Sequence, residues 1–182
     1  MLRKLFMRRI ITCYIIIIVA IIIDQTTKYL ISSTMVLGQS IPIIEDVFHI
    51  TYFRNAGAAF GILQGQTTLL TVLPIVLIIG ILIFLTVKTK GSHFTLPLAL
   101  VLICSGGIGN LIDRIRFGNV IDFFDFRVFP IFNVADSLVV IGCGLLLIHM
   151  FLFDKDEKAE EEEVEAEEME AEEAKADAED DD

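Results

Sequence analysis

The residues with the most capacity for chemistry fall in one stretch, Gly106–Ser137. It carries four carboxylates, Asp113, Asp122, Asp125 and Asp136, between segments apolar enough to sit in a bilayer. An acid in such a setting meets a solvation penalty that something must offset. Asp122 lies in Val120-Ile121-Asp122-Phe123-Phe124, where helix capping is not an obvious explanation. Desolvation there raises a carboxyl's pKa. Asp136 is the fourth residue of Asn133-Val134-Ala135-Asp136-Ser137 and the third of an apolar segment, so it could cap a helix N-terminus or react. If Asp122 and Asp136 meet, they cannot both ionise without strong repulsion, and one holds a proton near neutral pH. Such a pair can hydrolyse an amide: one carboxylate activates water and the protonated partner polarises a carbonyl. The two acids then titrate as a unit.

The other polar residues of the apolar region read as support. Asp113-Arg114, with Asn110 one helical turn earlier, suggests a structural ion pair or hydrogen-bond network. Asp125 could pair with Arg127, and a solvated interfacial acid is the favoured reading. Asp24 and Lys28 stand at i,i+4 with the acid first, the stabilising order on a helix, and read as positioning residues. Arg54-Asn55-Ala56-Gly57-Ala58-Ala59-Phe60-Gly61 is rich in small residues that let a backbone approach closely, either another helix or a bound chain. His49 and His93 have no partner visible in the sequence. His149 stands 13 residues beyond Asp136, roughly 20 Å along a helix, and belongs to the opposite membrane face. Cys13, Cys104 and Cys143 each sit in an apolar run and read as packing residues. No metal-ligand spacing or cofactor motif is present, and nothing points to nucleic acid.

These residues need elements to bring them together, and the composition says which kind. Residues 154–182 hold 18 acids and 3 lysines, so the overall net charge of −11 belongs to this tail, while residues 1–153 carry 7 acids and 11 bases. The tail cannot bury enough apolar surface to order itself and reads as a solvated appendage, with a basic partner as the sharper alternative. Mean hydropathy stays at +0.70 despite it. The chain therefore divides into a membrane domain, 1–153, and an acidic tail, 154–182. Four apolar segments reach the roughly 20 residues a transmembrane helix requires. The first is Ile10–Ile23 extended to Ile31; the others are Thr67–Val87, Phe94–Ile112 and Val134–Phe153. No small-x-small cleavage site closes the first, so an uncleaved anchor is expected.

Basic residues cluster before the first segment and between the second and third, at Lys88 and Lys90, whereas Ser32–Gln66 carries only Arg54. The positive-inside rule then places both termini in the cytoplasm. Arg114, Arg116 and Arg127 run against the rule, but three neighbouring acids can pair with them. This topology gathers Asp24, Lys28, Arg54, Asn55, Asn110, Asp113, Asn133 and Asp136 on the outer face. Phe48, Ile50 and Tyr52 alternate with His49, Thr51 and Phe53, a strand period. The expected fold is an all-α membrane protein: four transmembrane helices, a small extracytoplasmic β platform, and an interfacial loop or helix over Val120–Phe129, which shows no clean period.

Five motifs occur in order: Asp24-Gln25-Thr26-Thr27-Lys28, Asn55-Ala56-Gly57-Ala58-Ala59-Phe60, Gly106-Gly107-Ile108-Gly109-Asn110-Leu111-Ile112-Asp113-Arg114, Val120-Ile121-Asp122-Phe123 and Phe132-Asn133-Val134-Ala135-Asp136-Ser137. Together they resemble the motif set of the lipoprotein signal peptidase (signal peptidase II) family across nearly all of residues 10–153. The resemblance implies an aspartic endopeptidase of the bacterial cell membrane with no cofactor. It would cleave lipid-modified prolipoproteins before the cysteine that carries a diacylglyceryl group, near the outer face. By motif position Asp122 and Asp136 would be catalytic. Asn55, Gly57, Asn110, Asp113, Arg114, Asn133 and Ala135 would bind substrate or support the site, and Asp24 and Lys28 would be structural. The competing readings are a transporter or proton-conducting protein using its interfacial carboxylates, and a non-catalytic scaffold acting through its acidic tail. A conducting path needs polar groups through the full membrane depth, and the second and fourth segments are nearly bare beyond one end.

Overall fold

In the computed structural model, residues 2–57, 66–87 and 93–153 are described, with the side chains of 2–6 and 67 excepted. Ala58, Ala59, Phe60 and Gly61, the basic pair Lys88 and Lys90, and the acidic tail 154–182 lie outside them. Four helices dominate: α1 (Leu2–Thr34), α2 (Thr67–Val87), α3 (Thr95–Phe117) and α4 (Val134–Leu152). Their apolar spans run 28, 20, 23 and 19 residues, each long enough to cross a hydrocarbon core of about 30 Å. Ile11, Ile15, Ile18 and Ile22 make a ridge of half-exposed side chains along α1, and Leu73, Val76 and Leu77 do the same on α2. Such faces suit lipid, which solvates apolar side chains that water would not.

The third helix is the hub, packing against α1, α2 and α4. It does so through small residues, because lipid leaves close van der Waals approach as the main source of helix association. A Cβ on Gly106 would run into the Ala135 carbonyl oxygen and Val139, so glycine sets the α3–α4 distance. Ile17, Ile78, Ile81, Leu85, Val101 and Cys104 form the apolar core between α1, α2 and α3. The helix runs on past the expected end at Ile112 to Phe117, so Asp113 and Arg114 are helical residues. Gly118, at φ 74°, caps it in the left-handed conformation and turns the chain back.

The carboxyl ends of α1 and α3 and the amino end of α4 meet under a three-stranded antiparallel sheet of order β1-β2-β3. Its strands are β1 (Ser40–Ile44), β2 (Phe48–Asn55) and β3 (Val120–Asp125). β2 falls on the alternating segment, as expected. β3 corrects the reading of Val120–Phe129 as an interfacial loop or helix over its first six residues. Five of the six β3 residues are buried, so the strand shows no inside–outside alternation for a sequence to display. Only the following residues, from Phe126, form the loop.

Candidate active site

Asn133 organises the polar end of the bundle. It is the N-cap of α4 and has no solvent exposure. Its side-chain oxygen accepts the Asp136 backbone N–H at 2.9 Å, and Asp136 Oδ2 accepts the Asn133 N–H at 3.2 Å, a reciprocal capping box. The capping role foreseen for Asp136 is therefore real. Because Asn133 Oδ1 is committed to a donor, its Nδ2 points the other way, to Asp122 Oδ1 at 2.6 Å, and lies within reach of the Ile121 carbonyl and Asn110 Oδ1. One side chain thus ties Asp122 to Asp136.

Each acid has further neutral donors. Asn110 Nδ2 donates to Asp136 Oδ1 at 2.7 Å, and Asn55 Nδ2 donates to Asp122 Oδ2 at 3.1 Å. β2 can present Asn55 because its register with β3 pairs Asn55 with Val120 and Phe53 with Asp122. Asp122 is 1% exposed, whereas Asp136 is only half-buried. Burial, and next the charge of Asp136, push the Asp122 carboxyl up to about 7, against the pull of Asn55, Asn133 and Lys28.

An ionic layer lies beneath. Lys28 pairs with Asp24 at 3.0 Å and Asp113 at 3.1 Å, all three nearly sealed from solvent. Asp24 Oδ1 accepts the Ala135 N–H at 3.0 Å, and Asp113 Oδ2 accepts the Ile121 N–H at 3.1 Å. The layer therefore fixes the backbone next to both Asp136 and Asp122. Gly109 sits so close that a Cβ would lie 2.5 Å from Asp24 Oδ2. Asp113 takes Lys28 as its ion-pair partner, not Arg114, which corrects the adjacent-pair reading. Arg114 instead donates to the Gly57 carbonyl at 3.3 Å and interacts electrostatically with Asp136, Asp122 and Asp113. Every expected site residue, Asn55, Gly57, Asn110, Asp113, Arg114, Asn133, Ala135, Asp24 and Lys28 included, thus connects to this cluster.

Sequence reasoning missed Gln25, whose Nε2 lies 3.1 Å from each of Asp24 Oδ2, the Gly109 carbonyl and Asp113 Oδ1. The signal was a second polar residue beside Asp24, where the apolar run gives way to Asp24-Gln25-Thr26-Thr27-Lys28. Asp125 is also not the solvated acid expected. It is 4% exposed, paired with Arg127 at 3.0 Å and bonded by Thr51 at 2.8 Å. Burial would raise its carboxyl, but the Arg127 N–H, Thr51 and the Arg127 guanidinium together hold it below the usual range. At the far end of the bundle His93 is not partnerless: its Nδ1 and that of His149 share the Thr95 hydroxyl at 3.0 and 2.9 Å. This fastens the start of α3 to the end of α4. His49 Nδ1 meets Ser40 Oγ at 3.0 Å.

Fold and site together define a multi-pass membrane protein with paired carboxylates at one end of its helices. The family model for signal peptidase (SPase) II matches residues 16–152. The lipoprotein signal peptidase of Halothermothrix orenii is 49% identical over 142 residues, 78% of this chain and 97% of that protein. That of Brevibacillus brevis is 48% identical over 147 residues, covering 80% and 98%. Two solved bacterial membrane enzyme structures, obtained in meso at 2.3 and 1.9 Å, superpose with TM-scores of 0.73 and 0.71 at 38% and 37% identity. They cover 77% and 78% of this chain, and 87% and 94% of theirs. The chain belongs to the signal peptidase II family and is a membrane protease.

Proposed function

We propose that this protein is an aspartic endopeptidase that removes the signal peptide from diacylglyceryl-modified prolipoproteins, cutting N-terminal to the lipidated cysteine. Asp122 and Asp136 are its reacting pair. The observation that carries the reading is the position of Asn133, which holds both carboxylates at the end of a membrane bundle. The names of the relatives supply the substrate class. With both termini cytoplasmic, this end is the outer one, where a lipid-anchored precursor presents its scissile bond and water has access.

Asp122, its carboxyl pushed up to about 7, supplies the proton, and Asp136, the more exposed of the two, serves as the base. Asp136 takes a proton from water as the water oxygen bonds to the scissile carbonyl carbon and the carbonyl π bond opens. Asp122 gives its proton to the carbonyl oxygen. As the resulting diol collapses, the C–N bond breaks, Asp136 protonates the leaving amine and one diol proton returns to Asp122. Asn55, Asn110 and Asn133 hold the carboxylates in place, and Arg114 fixes the Gly57 carbonyl beside the site.

The test is cleavage of one precursor, lipidated and unlipidated, by Asp122→Asn and Asp136→Asn variants that still insert. Both are expected to lose all cleavage of the lipidated form, and the unlipidated form is expected to be a poor substrate for the wild type. Normal cleavage by either variant would sink the pair.

A further inference from the structure

Lys28 is 1% exposed and uses all three of its N–H groups, on Asp24 Oδ2, Asp113 Oδ2 and, at 2.9 Å, Asn110 Oδ1. The two ion pairs account for a structural role. The bond to Asn110 does something else. An ammonium has no acceptor, so the Asn110 atom facing it must be the carbonyl oxygen, and the amide nitrogen must point away. That nitrogen is the one that donates to Asp136 Oδ1 at 2.7 Å. The same Asn110 oxygen also accepts Asn133 Nδ2 at 3.1 Å, and Asn133 Nδ2 reaches Asp122 Oδ1. A buried cation is thereby linked to both acids through two amides.

We infer that Lys28 is a positioning residue for the reaction: through Asn110 it orients and polarises the donor on Asp136, so that the pair's negative charge rests on Asp136 and its proton on Asp122. This rests on the reading of Asp122 and Asp136 as the reacting pair. Hydrogen bonds in a chain polarise one another, and a cation at the head of the chain strengthens the last donor. Asp136 also accepts the Asn133 N–H in the first turn of α4, where the helix dipole favours an anion. The side chains bonded to Asp122 are neutral amides. Among the described residues, the charged groups facing the pair are Lys28 and Asp24 from α1 and Asp113 and Arg114 from α3. β2 presents neutral Asn55.

The experiment measures kcat and KM of the full chain on a diacylglyceryl-modified precursor across pH. The Asp24→Asn/Lys28→Gln double variant removes one acid and one base together, so the net charge of the buried layer is unchanged. We expect kcat to fall about tenfold or more with KM within about twofold. The pH profile should move upward by about one unit, because the Asn110 donor to the Asp136 carboxylate is no longer oriented and polarised by an ammonium, although the net charge of the layer is unchanged. Asn110→Leu cuts the chain while leaving all three ionic groups, and covers the case in which the double variant fails to fold. It should move the profile in the same direction. A folded variant with reduced melting temperature but wild-type kcat and pH profile would overturn the inference and leave Lys28 as a helix fastener. Cleavage surviving in Asp122→Asn or Asp136→Asn would overturn the pair instead, so the two failures are distinguishable.

Discussion

Asp122 and Asp125 stand three residues apart on one strand, both nearly sealed from solvent, with carboxyls pushed in opposite directions. The β2–β3 register shifts between Ile50 and Phe53, so the acids lie opposite Phe53 and His49, residues of one alternating set. That places Asp122 by Asn55 and Asp125 by Thr51. Asp125 then gains what Asp122 lacks, a direct cationic partner, in Arg127, which adopts φ 64° and donates both its N–H and its guanidinium. Asp122 is bonded by neutral amides and faces a second carboxylate. Burial alone therefore does not decide which way a carboxyl shifts; the identity of its partner does.

The two acids should respond very differently to the same substitution. Asp122→Asn should lower cleavage by a thousandfold or more, on the order expected when one member of a reacting pair is lost. Asp125→Asn should leave the rate within about threefold and cost no more than about 1 kcal/mol, since Arg127 is half-exposed. Rates on a lipidated precursor, with thermal melts, separate the two. Asn133→Ala comes next, with about a hundredfold loss of rate, because both acids lose their shared holder, and about 1 kcal/mol lost with the N-cap. Equal losses in rate and in folded yield would reduce Asn133 to a cap. Of the two acids, Asn55→Leu acts on Asp122 alone. It removes a bond that favours ionised Asp122, so the alkaline limb of the pH–rate profile should move up, with a rate loss of about tenfold or less. A limb that moves down would contradict the assignment of that limb to Asp122. The smallest effect is expected from deleting residues 156–182: activity of the purified enzyme should stay within about twofold, as for a solvated appendage. A severe loss would give the tail a role in the enzyme.

The four spans and the β2 strand were legible because each has its own signature, about 20 apolar residues in one case and a period of two in the other. The β3 strand was not, since buried strands show no alternation and Val120–Asp125 mixes aromatics with acids. Membership of the site followed from topology, which gathers the helix ends whatever their spacing in sequence. Partnership did not follow. Arg114 is the nearest cation to Asp113 in sequence, yet Lys28, on another helix, takes that place because α1 and α3 pack side by side. Asp125 looked like surface because nothing local announces the strand that covers it, and Gln25 was overlooked beside the more conspicuous Asp24 and Lys28.

In the proposed mechanism Asp122 carries the proton that the reaction needs. A carboxyl raised to about 7 keeps its proton below that pH and loses it above. The most direct measurement is the single-turnover rate of lipidated-precursor cleavage by the full chain, from about pH 5 to about pH 9. The rate should fall on the alkaline side with an apparent midpoint near 7, and the fall should move upward in Asn55→Leu. A rate that stays level or rises through that range would contradict a protonated Asp122 in the working enzyme.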